Sequence, residues 1–591
     1  MANYHRLVRV ARGEEPADLV FRGGQVVDVL TRSVYSATVG ICEDTIAYVA
    51  APDDPLCEGH TVVDATGMVI APGLIDSHMH IESTHATPEY FADAVLPRGV
   101  TTVAQDPHEM ANVLGIEGVD YMRQASRGLP LRVLTFVPTC VPAVPGLETS
   151  GASFTATEVG HLLDGPDTIG LAEVMDYWGV VRQTPRVTDI VKLGRERGVI
   201  MTGHVRFAED RDLNAYLAAG IESDHGLLTA DRMAARVRMG MVVEVCCAPD
   251  RDNVAEWVEL WRRMGSLDNV VLVTDDVSPG DFVAEGHLDF GVRRAVELGM
   301  DPVDAIRAAT VLPARRLRRH DLGVVAPGYL ADMVVLRDLG AFTVHLTVTN
   351  GRIVAHDGRM VMPSRPGAPV PEAALASVRL PELRAEDFAV RAAADRHAAG
   401  DRVAARVLTG QGRGLETRCL PVADGVVEWQ RFDDLALVAV LHRHGRNTNR
   451  GLVLIAGTGL RSGALATTYA HDSHNLLIVG RSPEEMAVAA NALRASGGGY
   501  VAVEGGVLKA LAALPVAGIL APRPVEALAA EFDAFVAAAR QLGVAGNPIR
   551  LLTSLPLPVV PSFRPTDMGL VDVDRQVLIP AFEAGPCDLE L

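Results

Sequence analysis

One pattern recurs through the middle of the chain. Between about Gly73 and about Arg319, a short β-rich run is followed by a polar or charged turn and then by a longer segment with helical periodicity. This alternation predicts parallel strands separated by helices. Eight such units in about 250 residues match the size of a TIM (β/α)8 barrel. The eight predicted strands are Val69–His80, Gly99–Gln105, Leu131–Pro138, Thr168–Val174, Val199–His204, Gly220–His225, Met241–Val245 and Val270–Asp275.

Short strands with glycine turns are predicted on both sides of this region. Asp18–Val27 and Val39–Ile41 precede it, while Gly328–Leu336 and Leu346–Val354 follow it. Each set alone leaves an apolar face uncovered, so we expect the two sets to join in one small split β-sandwich.

The last third of the chain returns to a globular composition after a segment rich in proline and glycine, and we expect it to form a third, α/β domain. The overall prediction is an α/β chain. Its segments are residues 1–72 (first portion of the β-sandwich), 73–326 (metal-dependent barrel), 327–362 (second portion of the β-sandwich), 363–380 (linker) and 381–591 (C-terminal α/β domain).

Composition excludes several classes of function. The formal net charge of -20 opposes binding to a phosphate backbone, so no nucleic acid partner is expected. No stretch of eighteen uncharged apolar residues and no signal-peptide pattern occurs, so we expect no membrane partner and a cytoplasmic location. Seven cysteines are scattered without CxxC pairs, which indicates neither a disulfide framework nor a zinc ribbon.

The strongest local motif is His78-Met79-His80, at the end of the first predicted barrel strand. Residues two apart in a strand face the same way, so both imidazoles are expected to point into one barrel mouth and to share a cation. An isolated His-x-His arises often by chance. Here an apolar strand precedes it and a barrel follows.

Further potential ligands follow at later strand ends, in barrel order. Glu173, His204, His225 and Asp275 close the fourth, fifth, sixth and eighth predicted strands. The active sites of TIM barrels lie at this end of the strands. Four imidazoles and two carboxylates suit two divalent ions better than one. Imidazole and carboxylate ligands without thiolate allow zinc, iron(II) or manganese(II).

A family resemblance rests on these ligands and on several longer motifs. The ligand order resembles that of the amidohydrolase superfamily, and further segments look like motifs of its adenine deaminases. The chain departs from the pattern at Thr84-His85, where a second serine and an apolar residue are expected. The matching segments extend over nearly the whole chain: His80–Ser83, Leu96–Val103, Asp106–Val113, Gly170–Tyr177, Thr274–Asp276, Glu285–Asp289 and Ala470–Asn475.

The resemblance implies hydrolytic deamination of adenine at C6 by a metal-bound hydroxide, which yields hypoxanthine and ammonia. It implies a small-molecule purine substrate, two divalent ions with manganese or iron(II) favoured and zinc possible, and a homodimer or higher homo-oligomer. It also places Glu173 where relatives often carry a carboxylated lysine, so this carboxylate is expected to bridge the two ions.

Deamination needs proton transfers, and the sequence suggests which side chains perform them. Asp275 is the expected acceptor of the water proton, because a carboxylate after strand eight can contact both metal and nucleophile. Glu82, His108 and Glu109 are the candidates for the acid that protonates the ring. Asp106, Asp276 and His287 are expected to orient ligands or to contact the purine. His471, Asp472, His474 and Asn475 either cap the mouth of the barrel, form an internal hydrogen-bond network or contact another subunit.

Two other functions remain open at this point. One is another amidohydrolase activity on a cyclic amide such as hydantoin or dihydroorotate. The other is a non-enzymatic scaffold, which is disfavoured because the ligand set is complete.

Overall fold

A computed structural model describes residues 3–55, 57–205, 211–392, 402–583 and 587. The amino-terminal region begins with helix α1 (Tyr4–Ala11). Five strands follow it: β1 (Ala17–Asp28), β2 (Ser33–Cys42), β3 (Thr45–Ala50), β4 (Gly59–Asp64) and β5 (Val69–Pro72).

The middle of the chain alternates strands with helices. Its strands are β6 (Leu74–Met79), β7 (Val100–Gln105), β8 (Arg132–Val137), β9 (Thr168–Val174), β10 (Ile200–Gly203), β11 (Ser223–Asp224), β12 (Val242–Cys246) and β13 (Val270–Val273). Its helices are α2 (Pro88–Val95), α3 (His108–Leu114), α4 (Ile116–Ala125), α5 (Ala156–Leu163), α6 (Tyr177–Arg182), α7 (Pro185–Arg197), α8 (Arg211–Ala218), α9 (Ala230–Arg238), α10 (Val254–Met264), α11 (Pro279–Ala284), α12 (Leu288–Glu297), α13 (Pro302–Ala308) and α14 (Val311–Arg316).

These strands form two parallel sheets, one of five strands (β6 to β10) and one of three (β11 to β13). Backbone hydrogen bonds link the two sheets at both seams. Asp275 donates to the His78 carbonyl at 3.2 Å, and Glu222 donates to the Met201 carbonyl at 2.8 Å. The carboxyl ends of the parallel strands therefore meet on one side of the curved sheets.

Strands on both sides of this region share a nine-stranded sheet. The later members are β14 (Met333–Asp338), β15 (Thr343–Thr349), β16 (Arg352–His356) and β17 (Arg359–Met360). Strand β14 runs antiparallel to β5. An irregularity between Phe21 and Gly24 lets β1 pair with β4 in its first half and with β5 in its second.

The C-terminal region is built on a second nine-stranded sheet. Its strands are β18 (Arg402–Thr409), β19 (Gly414–Ala423), β20 (Val426–Val427), β21 (Leu435–Leu441), β22 (Arg450–Ala456), β23 (Ala464–Thr467), β24 (Leu476–Gly480), β25 (Gly499–Glu504) and β26 (Val507–Ala513). The remaining elements are α15 (Glu372–Leu375), α16 (Pro483–Ser496), α17 (Val525–Gln541), α18 (Pro548–Ser554) and a small sheet of β27 (Phe563–Thr566), β28 (Gly569–Asp572) and β29 (Val577–Ile579).

Alternation along β21 explains how this second sheet packs. Leu437 and Ala439 lie in a core with helix α16. Val438 and Val440 belong to the core that contains α17 and much of the segment from β6 to α14 (the barrel region). Successive side chains of a strand point to opposite faces, so one face packs on its own helix and the other faces the barrel region. Loops on the face that packs against the barrel region reach the carboxyl ends of strands β6 to β13.

Two sequence expectations are wrong in detail. The predicted first strand, Val69–His80, is two strands that belong to different sheets and are separated by Gly73. The apolar pattern continues through the break and so does not reveal it. Cys419 and Cys587 form a disulfide across 168 residues, although scattered cysteines gave no indication of a pair.

In the described residues of the chain, no helix combines the length and hydropathy needed to cross a bilayer.

We expect Gly170→Ala to destabilise the protein by about 1–3 kcal/mol, the usual cost of forcing extra volume into a packed core. A Cβ atom at Gly170 in β9 would lie 2.2 Å from the backbone oxygen of Ile200 in β10, so the two strands would have to separate. Chemical unfolding followed by circular dichroism measures the change.

Gly160→Ala in α5 is the matched control, since the nearest atom to its new Cβ is Leu193 Cδ2 at an ordinary 3.5 Å. Alanine favours a helix interior over glycine, so this variant should be neutral or slightly more stable. Equal stability of the two variants would contradict the close packing of β9 on β10.

Candidate metal centre and active site

All six predicted metal ligands lie at the carboxyl ends of the parallel strands β6 to β13, and all are buried. Each side chain is fixed by the strand that precedes or carries it. In chain order they are His78 in β6, His80 directly after β6, Glu173 in β9, His204 after β10, His225 after β11 and Asp275 after β13. The structure therefore brings together side chains from five separate places in the sequence.

Glu173 is the carboxylate around which three of the imidazoles gather. One of its oxygens lies 3.2 Å from His225 Nε2, and the other lies 3.6 Å from His80 Nε2. His204 Nδ1 is hydrogen-bonded to the same oxygen that faces His225. The two oxygens of Glu173 therefore lie close to imidazoles from different strands.

Asp275 is the second carboxylate of the cluster. Its Oδ1 lies 3.2 Å from His80 Nε2 and 3.9 Å from His78 Nε2. The guanidinium of Arg251 is paired with its other oxygen. Asp275 adopts a left-handed backbone conformation with φ of 63°, which turns the chain just beyond β13 and directs this carboxylate to the strand ends.

Mutual pairing of buried charges determines how these groups ionise. Burial alone would raise the pKa of Glu173, but His225 and His204 outweigh it and hold that pKa well below its ordinary value. Burial likewise opposes a charge on His225, yet Glu173 and Asp275 raise its pKa to about 9. The cluster without cations therefore keeps anionic carboxylates beside a protonated imidazole.

The donor set fits divalent cations. His78 Nε2 is buried and, within the described residues, has no hydrogen-bond partner. His80 Nδ1 lies 2.9 Å from the carbonyl oxygen of Asp106, which fixes the proton on Nδ1 and leaves Nε2 as the ligand atom that faces the carboxylates. Imidazole and carboxylate donors suit zinc, iron(II) or manganese(II).

The candidate acids and bases divide into two groups. His108, Glu109 and Asp276 line a cavity of about 590 Å³ together with five of the six predicted ligands. Glu82 and His287 are buried but do not line this cavity. His287 packs near Phe91 and Phe282, with its Nε2 3.4 Å from the hydroxyl of Thr274.

His108 is also a potential ligand, a role that sequence reasoning did not give it. Its Nδ1 lies 3.0 Å from Asp106 Oδ2 and 3.7 Å from Glu173 Oε1. Ligand atoms of His80, Asp106, His108 and Glu173 lie within 4.8 Å of one another. Because His108 begins helix α3 after a strand, its position in the barrel pattern was a usable signal.

The C-terminal region contributes to the same cavity. Tyr469, His471 and Asp472 follow β23 and line it. The Tyr469 hydroxyl donates to Glu109 Oε1 at 3.2 Å, and His471 Nε2 lies 3.7 Å from Asp276 Oδ2. Asp472 Oδ1 lies 3.8 Å from His108 Nε2. The cavity is therefore enclosed by both the barrel region and the C-terminal region.

His474 and Asn475, the other two candidate residues of the segment Ala470–Asn475, lie deeper than His471 and Asp472. His474 is fully buried within the C-terminal region, and neither of its ring nitrogens has a hydrogen-bond partner in the described residues. Asn475 donates from Nδ2 to the carbonyl oxygen of Thr149 at 2.8 Å and so ties this motif to a loop of the barrel region.

Arg251 and Tyr469 are among the cavity residues that the sequence analysis did not identify. Arg251 follows β12, the seventh barrel strand, and the rule that barrel sites form after strand ends could have identified it. Tyr469 has no such signal, because only the tertiary packing of the C-terminal region brings its hydroxyl to Glu109.

Comparisons with known proteins agree on one family. The family model described as "Amidohydrolase family" matches residues 69–354, and "Adenine deaminase C-terminal domain" matches residues 413–577. Adenine deaminase 2 of Rhizobium meliloti is 42% identical over 91% of this chain and 89% of its own length. The adenine deaminase of Moorella thermoacetica is 39% identical over 96% of both chains. The chain therefore belongs to the adenine deaminase family of amidohydrolases.

Proposed function

We propose that this protein is an adenine deaminase, which hydrolyses adenine at C6 to hypoxanthine and ammonia. Membership of the family supports the reaction. The single structural observation that carries the proposal is the buried cluster of four imidazoles and two carboxylates at the strand ends, facing a cavity that the barrel region and the C-terminal region enclose.

We further propose that the eight parallel strands form a closed barrel, which the backbone hydrogen bonds between the two sheets support. The proposal also includes the boundaries 1–72 and 327–362 for the two portions of the sandwich, 73–326 for the barrel, 363–380 for the linker and 381–591 for the C-terminal domain. A cytoplasmic location and a homodimer or higher homo-oligomer stay predictions.

Two divalent ions would be held by His78, His80, Glu173, His204, His225 and Asp275. Manganese or iron(II) is the favoured metal, and zinc is the alternative. Cations bound there lower the pKa of water and so make a nucleophile available near neutral pH.

Asp275 is proposed as the base that takes the proton of the attacking water and later delivers one to the leaving amine. Its pairing with Arg251 fixes the position of the carboxylate. Burial raises the pKa of Asp275, but Arg251 and the imidazoles reverse this and hold it well below its ordinary value, so the carboxylate is ionised.

Glu109 is proposed as the acid that protonates ring N1 while C6 becomes tetrahedral. Burial raises the pKa of Glu109 well above its ordinary value, which favours the protonated carboxyl group that an acid needs. The group lines the cavity, whereas Glu82 does not. The Tyr469 hydroxyl donates to one of its oxygens and orients it.

The first expected outcome concerns the substrate. Protein reconstituted with manganese, iron(II) or zinc should release ammonia from adenine and leave hydantoin and dihydroorotate intact. Ultraviolet absorbance follows the loss of adenine. Ring opening of either cyclic amide, with adenine untouched under all three metals, would support the alternative amidohydrolase activity instead.

A Glu109→Gln variant should lower kcat on adenine by about 10²–10⁴-fold with little change in KM, because the amide fills the same space but cannot supply the acid proton. Steady-state kinetics measures both constants. Glu117→Gln, on an exposed position of helix α4, is the control and should leave kcat unchanged. Full activity of Glu109→Gln would remove Glu109 from the role of ring acid.

Metal binding should strengthen as pH rises towards 9. The pKa of His225 is about 9 in the cation-free cluster, so at lower pH a cation must displace a proton from this ligand. Affinity should fall about tenfold for each pH unit below 9 per displaced proton. Titration of the metal-free protein with manganese between pH 6.5 and 9.5 measures this slope. A constant affinity over that range would rule out the coupling.

A further inference from the structure

His85 lines the cavity but belongs to neither the candidate ligands nor the candidate acids and bases. It ends the turn that follows β6 and has a left-handed backbone with φ of 56°. Only 2% of its surface is exposed. Buried polar atoms are normally hydrogen-bonded, so each nitrogen of the His85 ring is expected to have a partner.

Aromatic side chains hold the His85 ring in one orientation. It stacks on Phe532, with centroids 4.7 Å apart and planes 14° apart. Tyr469 meets it edge-on at 4.6 Å, and Tyr500 at 5.7 Å. The C-terminal region thus fixes a ring that belongs to the barrel region.

The tautomer of His85 is fixed as well. Its Nδ1 lies 2.9 Å from the carbonyl oxygen of Ile519, which can only accept, so Nδ1 carries the proton. Burial lowers the pKa of His85 to about 3 and keeps the ring neutral. Nε2 therefore has a free lone pair, and no described residue donates a hydrogen bond to it. The cavity wall presents an acceptor to the ligand.

The position of this acceptor indicates which donor it meets. The Tyr469 side chain separates His85 from the candidate acid, since its ring contacts His85 and its hydroxyl donates to Glu109. Free adenine has two donor groups: the C6 amine, which must lie at the metal ligands, and the N–H of its imidazole ring. His85 is left to meet the second.

We propose that His85 is a specificity residue, whose Nε2 accepts a hydrogen bond from the imidazole N–H of a free purine base and thereby selects the base over purines substituted at N9, such as nucleosides. The inference rests on the proposed function. A site that pairs a substrate N–H rejects an analogue without it, because the acceptor is then left buried and unpaired.

The test compares adenine with 9-methyladenine, which has no imidazole N–H, in the wild-type protein and in His85→Phe. Phenylalanine keeps the stacking on Phe532 but has no acceptor. We expect His85→Phe to lose about 10–100-fold in kcat/KM on adenine and to change little on 9-methyladenine, so that the preference for adenine falls by the same factor. An equal loss on both compounds, or no loss on either, would overturn the proposal.

A second variant and a binding measurement complete the test. If His85→Phe does not fold, as judged by circular dichroism, His85→Met replaces it, since methionine fills a similar volume without a comparable acceptor. Equilibrium binding of purine and 9-methylpurine to wild type and variant measures the same preference without turnover. If wild type leaves adenine intact, the proposed function fails. The binding preference still supports the role of His85 if the variant abolishes it, and refutes it if the variant does not.

Discussion

Buried charge is the constraint on which the rest of this structure depends. Glu173 and Asp275 are almost wholly removed from water, and an isolated carboxylate in that environment would cost several kcal/mol. Imidazoles from other strands and the guanidinium of Arg251 offset this cost. Removing any one of these groups would leave a partner charge buried and unpaired, so the strand ends must hold them in one arrangement. In this arrangement the ligand atoms converge on a small volume. The contacts that stabilise the buried charges therefore also form the candidate metal site.

The C-terminal region is a structural component of the site rather than an appendage. One face of its large sheet packs on helix α16, while the other shares a core with the barrel region. From that second face, the segment after β23 brings Tyr469, His471 and Asp472 into the cavity. The phenol of Tyr469 touches both Glu109 and the ring of His85. The two groups proposed to act on opposite ends of the purine are thus connected by a side chain of the C-terminal region.

The sequence indicated those features that depend on local pattern. His78 and His80 could be placed because strand periodicity fixes their common direction, and the later ligands because they end apolar runs. Contacts between distant segments could not be read in this way. The pairing of Arg251 with Asp275, the distance of His287 from the cavity and the bond between Cys419 and Cys587 all depend on how separate elements pack. The break at Gly73 was not predicted, because the strands before and after it are both buried and apolar.

The pairing of β5 with β14 has a consequence for biosynthesis. These neighbours in one sheet are separated by the entire barrel region, from Leu74 onward. A nascent chain that has left the ribosome only as far as helix α14 still lacks β14, one of the two strands that pair with β5, and the apolar face of the first five strands stays open to water. Closing so long a connection is entropically costly and favours slow assembly. This protein should therefore depend on protection of its early strands, by chaperones or by the growing barrel itself, until Leu336 has emerged.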